Sequence, residues 1–168
     1  MSLAQSLYEG IDLGDGDLVG LITYMRTDST HVALPATSEL RSYIESSFGR
    51  EYLPDAERTY PVQAQNAQEA HEAIRPTSIF RDPTSLKGSL KPREWNLYNL
   101  IWARTVASQM TDADYEKTTT EIEGICNGID SAYRFSNVST SMLFQGFRAV
   151  YIGSQEADDD ESPESTLG

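Results

Sequence analysis

A single cysteine, Cys126, leaves this chain without an internal disulfide, which excludes the disulfide-stapled class of small secreted domains. Only two histidines, His31 and His71, accompany it, so no Cys/His cluster with zinc-ligand spacing arises and no metal site is expected. No apolar run reaches the ~18 residues that a membrane-spanning helix requires, and the first residues lack the pattern of a secretion signal. Positive charge is scarce as well: 13 Lys and Arg stand against 26 Asp and Glu, a formal net charge of −13. A self-sufficient nucleic-acid binder shows the opposite balance. The expectation is a soluble chain of a reducing compartment, read as cytoplasmic, with no membrane partner.

The negative charge is unevenly spread. Residues 155–168 hold Glu156, Asp158, Asp159, Asp160, Glu161 and Glu164 with no Lys or Arg, and read as a disordered acidic tail over 154–168. Glu9, Asp12, Asp15 and Asp17 gather near the N-terminus, while Tyr24 to Tyr115 is close to neutral, with ten basic and twelve acidic residues. At 168 residues the chain suffices for one ordinary domain, or a small domain and part of another.

Periodicity sets the elements. Leu3 to Glu9 reads as a helix end closed by Gly10, and Gly10 to Asp17 as a glycine- and acid-rich loop. That loop lacks the later ligands of an EF-hand, above all its twelfth-position Glu, which argues against calcium. Leu40, Tyr43, Ile44, Ser47 and Phe48 fall at helical spacing behind Pro35 and before Gly49. A longer helix is predicted from about Pro92 to Met110, with Trp95, Tyr98, Ile101, Trp102, Thr105, Val106 and Gln109 on one face. Aromatics so spaced could stack on bases, but a stripe of this kind more commonly forms core. Beyond Thr111 the period changes to two: Thr118, Thr120 and Ile122 mark one strand, Tyr133 and Phe135 a second, and Phe147 to Ile152 a third.

The chemistry concentrates in Leu21-Ile22-Thr23-Tyr24-Met25-Arg26-Thr27-Asp28-Ser29-Thr30. If this segment is a strand, Tyr24 and Arg26 share a face. A free phenol has a pKa of about 10 and needs a base, a cation or hydrogen bonds to act as a nucleophile near neutrality. Arg26 offers permanent charge and a planar fork that binds two phosphate oxygens. The same residues fit a half-buried strand tyrosine beside a solvated arginine. A second segment, Gln68-Glu69-Ala70-His71-Glu72-Ala73-Ile74-Arg75-Pro76-Thr77, reads as a short helix capped by Asn66 and Glu69 and stopped by Pro76, with His71 and Arg75 on one face. Its plain reading is an alanine-rich connector. His31 follows the turn-like Asp28-Ser29-Thr30 and reads as a surface residue.

Together, and in this order, the two segments resemble the active-site tyrosine motif and a downstream motif of type IA DNA topoisomerases, and the Met between Tyr24 and Arg26 resembles the bacterial topoisomerase I branch. The resemblance runs from about Ala4 to Gly153. It implies that Tyr24 cuts one DNA strand and holds its 5′ phosphate, that Arg26 contacts the scissile phosphate, and that His71 transfers a proton or hydrogen-bonds there. Thr27, Asp28, Ser29 and Arg75 join Arg26 and His71 as implied DNA contacts; a role for Glu72 is left open. Magnesium, on this resemblance, serves the whole enzyme from a separate domain whose acidic motifs this sequence lacks, so none is expected here.

The fold class expected is α+β: a lead-in over 1–17, a mainly helical tyrosine-bearing domain with a short strand over 18–115, and a partial antiparallel β segment of an arch domain over 116–153. The functional expectation is a central fragment that works with single-stranded DNA and with the rest of a longer enzyme, and is inactive alone. The competing reading is a non-catalytic DNA-binding or protein-interaction module of similar fold.

Overall fold

The computed structural model describes residues 2–14, 16–60, 72–125 and 132–155. It is α+β and divides into two compact units, Met1–Thr111 with Phe147–Gly168, and Asp112–Gly146. Among the described residues no helix is long and apolar enough to cross a membrane.

In the first unit, helix α1 (Ser2–Glu9) leads into a small antiparallel hairpin of β1 (Ile11–Asp12) and β2 (Leu18–Val19). The acidic loop has a structural use: one Asp12 carboxylate oxygen accepts the N–H groups of Gly14 and Gly16 at 2.8 and 3.1 Å, a local turn of the kind Asp favours. Helix α2 (Leu34–Ser47) takes Pro35 in its first turn and buries Thr37, Leu40 and Ile44. It ends at Gly49, whose φ of 109° is open to glycine and strained for other residues. Short helix α3 (Pro83–Leu86) starts on the Asp82 side chain, which accepts the Ser85 N–H at 3.0 Å.

Helix α4 (Pro92–Ser108) organises this unit. Its predicted stripe is core: Tyr98 and Val106 are fully buried, with Trp95, Trp102 and Gln109 nearly so. Burying Trp and Tyr leaves polar tips that need partners, and the stripe finds them on alternate carbonyls of one neighbouring segment. Trp102 Nε1 donates to Ile79 O at 2.9 Å, the Tyr98 hydroxyl to Arg81 O at 2.6 Å, and Trp95 Nε1 to Pro83 O at 2.7 Å. The chain that follows the second motif is thereby fastened to α4. Burial drives the Tyr98 phenol well above its ordinary range, with opposed smaller contributions from Arg81, which lowers it, and Asp82, which raises it. Tyr98 is therefore a hydrogen-bond donor at physiological pH.

The second unit is a long hairpin, β3 (Asp114–Ile125) paired antiparallel with β4 (Ala132–Phe144). Ile122 faces Phe135 across the register and Thr119 faces Val138, while Glu123 reaches Arg134 at 3.7 Å. The expected third strand does not form. Gly146, at φ 48° against the Asp112 carbonyl, ends the hairpin, and a short 3-10 turn (Gly146–Arg148) leads into helix α5 (Ala149–Gln155). Phe147, Val150 and Tyr151 satisfy a helical stripe as well as an alternating one. Val150 joins the core of the first unit, with Phe147 and Tyr151 packed on it.

Candidate active site

The segment bearing Tyr24 is not a regular strand. Leu21 and Ile22 are both buried, at 0% and 1% exposure, so the chain there is covered on both sides. Ile22 makes one isolated antiparallel bridge, to Pro76. Past Thr23 the backbone turns, and the Arg26 N–H returns to the Tyr24 carbonyl at 2.9 Å. The alternation of a strand therefore does not set where Tyr24 and Arg26 point. Tyr24 is half exposed, at 51%, and its ring meets that of Tyr8 edge-on, with centroids 5.3 Å apart and planes at 65°.

Arg26 is exposed over 53% of its side chain and pairs through Nε with Asp28 Oδ2 at 3.0 Å. Thr27 is exposed. The Ser29 hydroxyl accepts the His31 N–H at 3.1 Å, and Thr30 donates to Tyr60 O at 3.1 Å. Ser29 thus shapes the turn that brings the chain back toward α2. His31 is exposed, as expected.

What holds Tyr24 in place comes from the second motif, fifty residues downstream. Thr23 is the hub: its N–H donates to Arg75 O at 2.9 Å, its hydroxyl to Ala73 O at 2.8 Å, and it accepts the Arg75 N–H at 3.0 Å. On one side Thr77 N–H reaches Leu21 O at 3.0 Å and the Thr77 hydroxyl reaches Gly20 O at 2.7 Å. On the other, Ala73 N–H reaches His31 O at 2.7 Å. The hydroxyl and N–H of Thr23, the N–H groups of Ala73, Arg75 and Thr77 and the hydroxyl of Thr77 are thus all spent on joining the two motifs.

This lacing corrects the expected helix at its C-terminal end. Residues 72–75 are non-helical, because the amides a helix would use are given to His31 and Thr23. Its N-terminal part, including Asn66, Glu69 and His71, lies outside the described residues. Arg75 therefore lies on no helix face, and the expected pairing of its face with His71 falls outside the described residues.

Glu72 is the residue the sequence left unassigned, and its carboxylate is bonded within the fold. Its carboxylate takes Arg75 in a two-point pair, Nε to Oε1 at 2.8 Å and a terminal nitrogen to Oε2 at 3.1 Å, and also accepts the Ala33 N–H at 2.9 Å. Arg75 adds a bond to the Pro76 carbonyl at 2.8 Å. One carboxylate thus caps the entry to α2, where Ala33 has no side chain able to do so, and pins the second motif. Burial pushes the Glu72 carboxyl up; the bonds from Arg75 and Ala33, with the charges of Arg75 and His31, outweigh it and hold the group below its ordinary value.

A depressed carboxyl stabilises the fold above its unfolded value of 4.5 and loses that contribution as pH falls through the folded value. Glu72→Gln is accordingly expected to destabilise the first unit by about 1–2 kcal/mol at pH 7. The difference from the parent should shrink as the pH is lowered below 4.5. Denaturant titrations of both proteins across this range check it; a pH-independent gap would contradict the ion-pair origin.

With two motifs joined around a half-exposed tyrosine and an exposed arginine, the likeness to known proteins can be placed on the structure. A family model described as DNA topoisomerase matches residues 1–168. DNA topoisomerase 1 of Xylella fastidiosa strain Temecula1 is 45% identical over 165 residues, 96% of this chain and 20% of that protein. DNA topoisomerase 1 of Helicobacter pylori strain 26695 is 43% identical over 158 residues, 94% of this chain and 20% of its own length. The chain belongs to the bacterial type IA DNA topoisomerase family. Among solved structures, full-length topoisomerase I of Thermotoga maritima superposes with a TM-score of 0.70 at 34% identity, covering all of this chain and 24% of that one.

The chain therefore spans about a fifth of the length of the curated topoisomerases it matches. Within it, the described residues contain no group of three or more His, Cys, Asp or Glu side chains able to hold a metal ion.

Proposed function

We propose that this chain supplies the tyrosine-bearing part of a type IA DNA topoisomerase that relaxes negatively supercoiled DNA by cutting, passing and resealing one strand. The Tyr24 oxygen attacks the scissile phosphorus, and the bond from phosphorus to the 3′ oxygen breaks. A 5′-phosphotyrosine link and a free 3′ hydroxyl result. The phenolic proton departs to a base and the leaving 3′ oxygen takes up a proton; His71 is the group of this chain assigned to proton transfer or hydrogen bonding there. Resealing is the same exchange in reverse and needs no ATP.

Arg26 holds the phosphate. Its Nε pairs with Asp28, which leaves the terminal nitrogens to meet phosphate oxygens. Thr27, Asp28 and Ser29 line the same turn and are proposed to follow the DNA backbone. Arg75 is committed to Glu72 and Pro76, so its part in DNA binding is to fix the second motif or to re-pair when DNA arrives. Magnesium is a requirement of the whole enzyme, met by a separate domain and not by this chain. The partners are single-stranded DNA at the cleavage site and the remaining enzyme domains, in the cytoplasm.

The observation that carries this reading is the lacing of the two motifs through Thr23, which supports an exposed tyrosine beside an exposed arginine on a rigid base. The charge of −13 opposes DNA approach, because phosphate neutralisation supplies most of the affinity. The isolated chain should accordingly form no covalent adduct with end-labelled single-stranded DNA and magnesium, and bind it weakly and with strong salt sensitivity. A full-length enzyme carrying this segment should form the adduct. An adduct formed by the isolated chain would overturn the division of labour; none from the full-length enzyme would favour the non-catalytic module.

A further inference from the structure

Tyr8 is held where it is by more than its own packing. Its carbonyl lies so close to Gly20 that a Cβ added there would stand 2.8 Å from the oxygen, nearer than real Cβ contacts come. Next to it, the Leu21 N–H donates to Leu7 O at 2.7 Å. Leu7 is fully buried, and the hydroxyl of the preceding residue, Ser6, donates at 3.0 Å to Glu94, a buried carboxylate that also accepts the Lys91 N–H at the start of α4. The end of α1 is thus clamped to the chain just ahead of Tyr24 and to α4. That clamp presents the Tyr8 ring edge-on to Tyr24, at 5.3 Å between centroids.

In-line attack requires one orientation of the phenol among the staggered rotamers open to a tyrosine side chain. We propose that Tyr8 is a positioning residue for the cleavage reaction: its ring, fixed by α1, Gly20 and the Leu7–Leu21 bond, restricts the Tyr24 phenol to the orientation that reaches the scissile phosphorus. The inference rests on the reading of Tyr24 as nucleophile. It assigns the effect to the ring of Tyr8 and none to its hydroxyl, because an edge-to-face contact is a property of the aromatic body.

The test is made in a full-length enzyme carrying this segment, with single-turnover cleavage of an oligonucleotide at saturating concentration. Tyr8→Ala is expected to slow adduct formation by about 10-fold or more, the scale of a lost orienting contact, with DNA affinity and unfolding temperature close to the parent's. Tyr8→Phe should restore the parental rate within about 2-fold. If Tyr8→Ala does not fold, Tyr8→Leu takes its place with the same expectation, since it keeps apolar volume on α1 without a ring. A parental rate in Tyr8→Ala or Tyr8→Leu, or a Tyr8→Phe as slow as these, would overturn the proposal. A Tyr24→Phe control separates the two levels: an adduct persisting there removes the nucleophile reading itself, whereas its loss beside an unaffected Tyr8→Ala removes only the role of Tyr8.

Discussion

Tyr24→Phe, introduced into a full-length enzyme carrying this segment, is expected to abolish cleavage and relaxation while leaving folding and DNA affinity nearly unchanged. The substitution removes one oxygen and keeps the ring. Tyr24 is half exposed, and its ring contact with Tyr8 is aromatic in nature, so phenylalanine retains the packing that the side chain contributes. The nucleophile, by contrast, is lost outright, and a lost nucleophile has no partial substitute on the same carbon. The measurement is the yield of covalent protein–DNA adduct after denaturation, with plasmid relaxation in parallel and the unfolding temperature as control. Residual adduct at any appreciable fraction of the parental yield would mean that another residue attacks the phosphorus.

The second large effect is expected at Arg26. Removing the guanidinium in Arg26→Ala takes away the charge and the fork together, and a cleavage rate lower by about 10²-fold or more is expected, the range seen when one preorganised donor is lost from a transition state. Arg26→Lys should recover little of this. An ammonium keeps the charge but has no planar pair of donors for two phosphate oxygens, and it cannot reproduce the Nε bond to Asp28 while also facing the phosphate. Rates measured at saturating DNA separate the chemical step from binding. A lysine variant as fast as the parent would reduce Arg26 to simple charge attraction.

Helices α2 and α4 were legible because each obeys one period over many residues. Pro35 and Gly49 bracket α2 in the sequence as in the structure, and the Trp95-Tyr98-Trp102-Val106 stripe of α4 is core as spaced. The hairpin was legible where its alternation was regular. Phe147 to Ile152 was not, since a short apolar run fits both periods and the deciding facts lie elsewhere: the left-handed Gly146 and the core that Val150 joins.

The surroundings of Tyr24 were the least legible part. Motif identity marked the residues, but their conformation depends on hydrogen bonds between positions fifty residues apart, which no local pattern encodes. Thr23 appears in the sequence as an ordinary strand threonine, yet three bonds to Ala73 and Arg75 make it the joint between the motifs. Glu72 could be recognised only once Arg75 and the uncapped Ala33 were seen on the same carboxylate. Tyr8 carried one faint signal: it belongs to the helix ahead of a glycine, and a glycine at position 20 marks a close backbone approach.

The central claim is that Tyr24 becomes covalently bonded to DNA, and its most direct test locates that bond. A full-length enzyme carrying this segment would be trapped on a cleaved single-stranded oligonucleotide with magnesium, digested with a protease and nuclease, and the nucleotide-bearing peptide sequenced by mass spectrometry. The expected result is one modified peptide containing Gly20-Leu21-Ile22-Thr23-Tyr24-Met25-Arg26, with the phosphate on Tyr24 and attached through the 5′ side of the nucleotide. A nucleotide on any other residue, or one attached through its 3′ side, would contradict the account.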